Sequence, residues 1–224
     1  MPLPFWLRPY QHCRDSICVL CRKEAPGRRA LCKSCEQKLG PAPPPLTAGS
    51  LVVTAACEYQ PPISRLMLQY KYENRRSLCR LFARLMAERC EIPPNFCIAA
   101  LPLHSKRIHE RGYSQTDLLA RSLCSQTGLP SFSGRLLRLR DTDHQTGLDR
   151  EERQRNVKDA FFASGAEGTH VLLVDDVMTT GATLRACARA LYEGGAASVQ
   201  AAVVCYARGE SSEQAGKRLV ESPD

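Results

Sequence analysis

The chain has no apolar run long enough to cross a membrane, no secretory signal and few aromatic side chains. A membrane-spanning helix needs about 20 consecutive apolar residues, and no stretch of the 224 residues approaches that length. The N-terminal stretch MPLPFWLRPYQHC lacks the basic and apolar regions of a signal peptide. We therefore expect a cytoplasmic protein that does not insert into membranes. Only 6% of the residues are aromatic, which gives little support to a surface that stacks nucleic-acid bases.

The overall composition is that of a globular protein with a basic charge. Apolar residues make up 43% of the chain and charged residues 24%, which are ordinary values. The length is sufficient for one full α/β domain and a small additional module. The net charge of +8 attracts polyanions. It does not distinguish a sugar diphosphate from single-stranded nucleic acid or an acidic protein.

Four of the twelve cysteines form two CxxC pairs. The pairs are separated by ten residues and consist of Cys18, Cys21, Cys32 and Cys35. Each pair can direct two thiolates at one ion, and four thiolates complete a closed tetrahedral Zn²⁺ site of the structural kind. His12 or Cys13 could replace one ligand, so the assignment of Cys18 stays open. The remaining cysteines are expected to be reduced and to pack as small apolar side chains.

A proline-rich segment divides the chain. Residues 40–45 read GPAPPP, which is a stiff linker. We predict a zinc-binding module with its linker over residues 1–45, a larger domain over 46–206, and a polar, disordered tail over 207–224. Within the larger domain, the apolar patterns predict strands at 51–59 and 97–103 and helices at 63–70 and 78–89.

The most informative stretch is VLLVDDVMTTGAT at residues 171–183. Four apolar residues followed at once by Asp175 and Asp176 are typical of a strand that is buried on both faces of a parallel sheet. A helical segment follows at about 184–193. Because ligands of such sheets bind outside the carboxyl ends of the strands, the stretch predicts a binding site.

The residue types at this turn predict a ribose 5-phosphate site. The loop and first helical turn comprise Thr179, Thr180, Gly181, Ala182 and Thr183. Free backbone N–H groups and the helix dipole favour a phosphate there. The two carboxylates are unsuited to a phosphate but can accept hydrogen bonds from neighbouring ribose hydroxyls. The alternative is a buried strand whose Asp176 helps to cap the helix, although one polar residue would be enough for that.

Two further segments are rich in charged and polar side chains. The strand ending near residue 103 leads into a loop with candidate residues for binding a diphosphate or nucleic acid, namely Lys106, Arg107, Arg111, Gly112 and Gln115. Guanidinium and ammonium groups suit a diphosphate, although such a run can also be a solvated basic loop. Residues 138–161 are charged and long for a connection, which is typical of active-site lids and of mobile insertions.

Together these segments resemble the ComF family, competence-associated proteins that join a cysteine knuckle to a phosphoribosyltransferase domain. The resemblance covers roughly residues 15–206. It rests on the paired cysteines, on Lys71 and Tyr72, on the RGYSQ segment, on VLLVDDVMTTGAT, and on a charged-loop pattern of Gln145, Leu148, Arg153, Asn156, Val157 and Phe161. Ser114 departs from the family pattern, which usually has Asn at that position.

The resemblance implies a type I phosphoribosyltransferase-like, doubly wound parallel sheet with a site for phosphoribosyl pyrophosphate (PRPP) or another ribose phosphate. By the resemblance, Asp175 and Asp176 hold the ribose hydroxyls and are the catalytic pair if the protein is an enzyme. Residues 179–183 hold the 5-phosphate, and Gln145, Arg153 and Asn156 belong to a lid. Mg²⁺ would bind together with PRPP, chiefly through oxygens of PRPP and water.

Two functions follow from the resemblance. The first is a PRPP-binding protein of DNA uptake, with single-stranded DNA and DNA-uptake proteins as partners. The alternative is an active phosphoribosyltransferase of nucleotide metabolism, whose acceptor no segment of the sequence identifies. The motif predicts ligand binding in either case and leaves transferase activity open.

Overall fold

The computed structural model describes residues 17–25, 30–103, 108–109, 112–139 and 160–207. The chain divides into two units, of which the first ends at Gly40 and the second begins at Pro41. Among the described residues, no helix is long and apolar enough to cross a membrane.

In the first unit, a tight turn and one short helix position the paired cysteines. The N–H of Arg22 donates to the Cys18 carbonyl at 3.0 Å and closes the turn that carries the first pair. Arg22 has a φ of +62°, in the left-handed region. Helix α1, Lys33–Gln37, begins directly after Cys32. One cysteine pair therefore lies in a turn and the other at the start of a helix.

The second unit is built on two sheets. Its strands are β1 (Leu46–Ala48), β2 (Leu51–Glu58), β3 (Cys97–Ala100), β4 (Arg135–Arg138), β5 (Phe161–Ser164), β6 (His170–Met178) and β7 (Ser198–Tyr206). The larger sheet has the order β1-β2-β7-β6-β3. Neighbouring strands from β2 to β3 are parallel, whereas β1 pairs antiparallel with β2 at the edge. The apolar residues 171–174 lie in β6, between two other strands, which explains their burial.

Helices cover both faces of the larger sheet, as in a doubly wound fold. They are α2 (Ile63–Tyr72), α3 (Leu78–Arg89), α4 (Gln115–Thr127) and α5 (Ala182–Glu193). On one face, α3 contacts β2 and β7, and α4 contacts β3 and β6. On the other face, α5 and the β4–β5 pair enclose a core that includes Leu173, Val203, Leu184 and Ala163. The predicted α/β fold class is confirmed.

Several element boundaries differ from those predicted. Helix α5 begins at Ala182, within the residues predicted to form the loop and the first helical turn. Strand β3 ends at Ala100, three residues before the predicted end, although the Leu101 N–H still donates to the Val174 carbonyl at 2.9 Å. The antiparallel β4–β5 pair is not predicted from the sequence, in which residues 138–161 have only the pattern of a charged connection. Both of its strands have four residues, and so short a run carries little periodic signal.

The ladder of β6 skips one residue at the carboxylate pair. Asp175 and Val177 pair with residues of β7, whereas Asp176 between them has no ladder partner. Leu173 and Met178 both join the core beneath α5, although side chains five positions apart in a regular strand point to opposite faces. The side-chain alternation therefore shifts by one residue near Asp176, at the carboxyl end of a central strand.

Candidate functional site

Asp175 and Asp176 lie near the carboxyl end of β6, within the parallel part of the sheet. Because Asp176 lies outside the ladder, its N–H is available to donate to Oδ1 of Asp175, at 2.8 Å. Asp176 is buried, with 8% of the residue exposed, and Asp175 is partly buried. The structure thus places two linked carboxylates at the edge where parallel sheets bind their ligands.

Asp176 forms an ion pair with a lysine of α2. The Nζ atom of Lys71, in the last turn of the helix, lies 3.0 Å from Oδ1 of Asp176. Only 15% of the lysine side chain and 11% of the aspartate side chain are exposed. Solvent and salt therefore screen this pair much less than a surface ion pair. The contact joins α2 to the carboxyl end of β6.

Burial raises the pKa of the Asp175 carboxyl to about 7. Desolvation is the largest cause, and the neighbouring Asp176 acts in the same direction. The charges of Lys71 and Arg138 and the hydrogen bond from the Asp176 N–H oppose the increase without cancelling it. The two carboxylates therefore differ. Asp176 has a close cation, whereas Asp175 changes its protonation near neutral pH. Bound hydroxyl donors or a cation would favour the ionised form of Asp175.

The turn after β6 presents backbone donors and small side chains. Helix α5 has Gly181 as its N-cap, and the N–H of Ala182 donates to Oγ1 of Thr180 at 3.4 Å. The first N–H groups of a helix have no intrahelical partner, so together with the helix dipole they favour an anion. Thr179 and Thr183 are partly buried and Thr180 is exposed. Three hydroxyls therefore lie on the same turn as these N–H groups.

Glycine is required at position 181 for two reasons. Gly181 has a φ of +69°, and a Cβ at this position would lie 2.6 Å from Cβ of Ala48 and 3.4 Å from Sδ of Met178. Arg185 of α5 also holds the turn, since its Nη1 donates to the Thr180 carbonyl at 2.9 Å. The turn therefore has a defined shape, with the edge strand β1 packed directly against it.

The segment between β3 and α4 is anchored at its base and to α2. Oγ1 of Thr116 donates to the Leu101 carbonyl at 2.7 Å, which joins the start of α4 to the end of β3. The Tyr70 hydroxyl donates to the Gln115 carbonyl at 2.7 Å, and the Tyr70 carbonyl accepts from the Tyr113 hydroxyl. Helix α2 therefore contacts both the carboxylate strand and the segment that was predicted to bind a diphosphate.

The structure describes only part of the predicted loops. Gly112 has a φ of +71°, and Gln115 is buried at the first position of α4. The predicted residues that lie outside the described ones are Lys106, Arg107, Arg111, Gln145, Arg153, Asn156, His12 and Cys13. Their roles stay predictions.

The four paired cysteines converge in the first unit. The Sγ atoms of Cys18, Cys21, Cys32 and Cys35 all lie within 4.8 Å of one another. The Sγ atoms of Cys21 and Cys32 are 3.7 Å apart, close to the ~3.8 Å between ligands in a tetrahedral site with Zn–S bonds of ~2.3 Å. Burial acts to raise the pKa of the Cys18 thiol, but backbone N–H donors from Cys21, Cys32 and Leu20 lower it to about 6. The cluster could hold a metal ion.

Comparison with known proteins agrees with this arrangement. A family model described as "Phosphoribosyl transferase domain" matches residues 139–220. DNA utilization protein YhgH of Salmonella typhi is 34% identical over 205 residues, which cover 84% of this chain and 89% of that protein. The chain belongs to the ComF family. Competence protein F of Haemophilus influenzae is 31% identical over 155 residues, covering 63% of this chain and 67% of that protein.

One departure from the ComF pattern has a structural explanation. Ser114 is the N-cap of α4, and its side chain accepts a hydrogen bond from the Asp117 N–H at 3.2 Å. Serine and asparagine are equally good N-caps. Serine at position 114 of this ComF-family chain therefore preserves the start of the helix.

Sequence reasoning missed contacts that join distant parts of the ComF domain. It assigns Lys71 to the family pattern without a role, and it assigns nothing to Tyr70 beyond a helical position. The contacts of both residues arise because the last turn of the amphipathic helix α2 reaches the end of β6. The available signal was a single cation at the end of an otherwise buried helix face, which is too common to identify a partner.

Proposed function

We propose that this ComF-family chain binds PRPP or ribose 5-phosphate at the carboxyl edge of its parallel sheet and acts in DNA uptake. The observation that carries the proposal is the position of Asp175 and Asp176 directly before the turn that leads to the N-terminus of α5. The carboxylates offer acceptors to a ribose diol, and the helix N-terminus offers donors to a phosphate. A ribose 5-phosphate carries both groups.

In this proposal, Asp175 and Asp176 accept hydrogen bonds from the two ribose hydroxyls. The backbone of residues 181–183 and the threonine hydroxyls of the turn donate to the 5-phosphate. Mg²⁺ accompanies PRPP and is held chiefly by oxygens of PRPP and by water, because this ion keeps much of its hydration and needs few protein ligands. The ion pair with Lys71 keeps Asp176 in position for the ligand.

The proposed role in DNA uptake is supported by the relatives and by the charge of the chain. The relatives are described as DNA utilization and competence proteins, and the net charge of +8 favours contact with a polyanion. We place single-stranded DNA and DNA-uptake proteins among its partners, with Lys106, Arg107 and Arg111 as candidate contacts to phosphates.

The proposed metal of the first unit is a structural Zn²⁺. Four thiolates fill a tetrahedral coordination sphere and leave no position open for a substrate. The convergence of the four Sγ atoms supports this assignment. In this role the ion stabilises a unit whose described residues include only one short helix.

Transfer of the phosphoribosyl group is the second candidate function. It is favoured by the presence of both carboxylates beside a turn suited to a phosphate. Transfer breaks the bond between ribose C1 and the diphosphate, which leaves as pyrophosphate with the bonding electrons, and forms a bond from C1 to a nucleophile of the acceptor through an oxocarbenium-like state. The residues of the site would hold the ribose rigid, while Gln145, Arg153 and Asn156 would exclude water as parts of a lid.

Calorimetry with Mg²⁺ and PRPP tests the binding proposal. The wild-type protein should bind PRPP, and the double variant Asp175→Asn/Asp176→Asn should not. Glu193→Gln, which changes an exposed carboxylate to an amide on α5, is the matched control and should bind as the wild type does. Absence of binding by the wild type would show that the site assignment is wrong. A screen of PRPP consumption with nucleobases and small amines then separates binding from transfer.

Salt dependence tests the contact with DNA. If Lys106, Arg107 and Arg111 bind phosphates of a single strand, the logarithm of affinity should fall linearly with the logarithm of salt concentration. Each lost contact should reduce the slope by about 0.7. Replacing all three residues with alanine should flatten the dependence, and replacing the exposed Arg80 and the partly exposed Arg189 should have a smaller effect. An affinity that does not respond to salt would contradict the DNA proposal.

A further inference from the structure

Arg76, between α2 and α3, has its guanidinium group held in place by two neighbours. Its Cζ lies 4.4 Å from the centroid of the Tyr113 ring, and its Nε donates to Oδ1 of Asn74 at 2.7 Å. Asn74 has a φ of +54°, a left-handed conformation that asparagine tolerates better than most residues. The turn before α3 therefore positions an acceptor that orients the arginine.

These contacts leave one part of the guanidinium available. The guanidinium lies over the Tyr113 ring, and its Nε donates to Asn74. Within the part of the chain that the structure describes, Nη1 and Nη2 of Arg76 donate no hydrogen bond, and the side chain is partly exposed. Two terminal amino groups on a planar, fixed guanidinium are the donors that bind a phosphate in a bidentate manner.

The neighbouring backbone belongs to the segment between β3 and α4. A Cβ on Gly112 would lie 3.8 Å from Nη2 of Arg76, so the arginine lies directly beside Gly112 as well as on Tyr113. The Tyr113 hydroxyl donates to the carbonyl of Tyr70, and the next residue, Lys71, contacts Asp176. A short series of direct contacts therefore leads from Arg76 to the carboxylate pair.

We propose that Arg76 binds the diphosphate group of PRPP at the side of the segment between β3 and α4, which is a binding role outside the PRPP motif. This inference rests on the proposed function, since it assumes that PRPP occupies the carboxyl edge of the sheet. A diphosphate is favoured over the backbone of a nucleic acid because Arg76 is linked to Asp176, the residue proposed to hold the ribose of the same ligand. Its fixed orientation lowers the entropic cost of binding.

Calorimetry on the full chain with three ligands tests the inference. The ligands are PRPP with Mg²⁺, inorganic pyrophosphate with Mg²⁺, and ribose 5-phosphate, which lacks the diphosphate. Arg76→Gln should weaken binding of PRPP and of pyrophosphate by roughly 10- to 100-fold, the usual effect of losing hydrogen bonds to a charged group. Binding of ribose 5-phosphate should change by less than about twofold. Arg76→Lys keeps the charge without the planar fork and should recover only part of the loss.

Arg80→Gln removes one positive charge from an exposed position of α3, and it should leave all three affinities unchanged. Equal weakening of ribose 5-phosphate and PRPP by Arg76→Gln would overturn the inference, because it would show that Arg76 only supports Tyr113. Unchanged pyrophosphate binding in that variant would also overturn the inference. This holds even if Arg76→Gln weakens binding of a single-stranded oligothymidylate, because the arginine would then contact nucleic acid and not a diphosphate. Failure of the wild type to bind either PRPP or ribose 5-phosphate would instead refute the proposed function, while the pyrophosphate measurement would still decide the role of Arg76.

Discussion

The side-chain nitrogen of Lys71 lies 3.0 Å from Oδ1 of Asp176, although one residue belongs to a helix and the other to a distant strand. Tyr70, the preceding residue of the helix, donates a hydrogen bond to the Gln115 carbonyl and accepts one from the Tyr113 hydroxyl. The end of α2 therefore connects the strand that carries the carboxylates with the segment before α4. Substitutions there should affect both the stability of the domain and the binding of its ligand.

Lys71→Met should destabilise the protein by about 3 kcal/mol, because it leaves a largely buried carboxylate without its cation. Urea unfolding measures the effect. Combining it with Asp176→Leu should recover much of the loss, because the double variant buries no unpaired charge. Glu193→Gln, which disrupts an exposed pair with Arg189, should change stability by no more than about 0.5 kcal/mol. Equal effects of Lys71→Met and Glu193→Gln would show that the buried pair has no special importance.

Gly181→Ala should weaken ribose 5-phosphate binding and destabilise the domain. The substitution forces an alanine into φ of +69° and places its Cβ 2.6 Å from Cβ of Ala48. Gly128→Ala is a matched control, because Gly128 has a φ of +75° and nothing lies within 4 Å of its added Cβ. Both variants should lose about 1 kcal/mol from backbone strain, and only Gly181→Ala should lose more and bind less ligand. Calorimetry and urea unfolding of both variants would reveal equal losses if the close approach to β1 were unimportant.

Elemental analysis of the purified protein should find about one zinc per chain, as expected for a four-thiolate site. Cys32→Ser should lose the metal and unfold the first unit, because structural zinc sites contribute directly to folding. Cys124→Ser removes a partly exposed thiol outside the cluster and should retain the metal. A folded, metal-free wild-type protein would contradict the assignment. If Cys18→Ser retained zinc and Cys13→Ser lost it, the fourth ligand would be Cys13 and not Cys18.

The pH dependence of stability should report on Asp175. Because burial raises its folded-state pKa from 3.8 to about 7, the neutral carboxyl contributes stability that is fully present below about pH 4 and is lost as the pH rises through about 7. Asp175→Asn stays neutral at every pH. We therefore expect the free energy of unfolding of the wild type to fall, relative to that of the variant, between about pH 4 and about pH 7. Parallel pH profiles from urea unfolding would show that Asp175 is ionised throughout this range.

Much of the fold and part of the site follow from local patterns. Residues 171–183 predict the buried strand, the carboxylate pair and the turn before α5, because apolar runs, paired carboxylates and small turn residues act over a few neighbouring positions. The spacing of the cysteines predicts the convergence of Cys18, Cys21, Cys32 and Cys35 for the same reason. The β4–β5 pair is missed because each strand contributes only four residues, two of them arginines in β4.

The sequence by itself determined the family, the carboxylate motif and the four-thiol cluster, since each depends on residues that are close together in the chain. Only the tertiary structure decided that Lys71 pairs with Asp176 and that Arg76 lies against Gly112 and Tyr113. These contacts depend on how the end of α2 meets the end of β6 and the start of α4. No local periodicity specifies that packing, because it results from burying the apolar faces of both elements together.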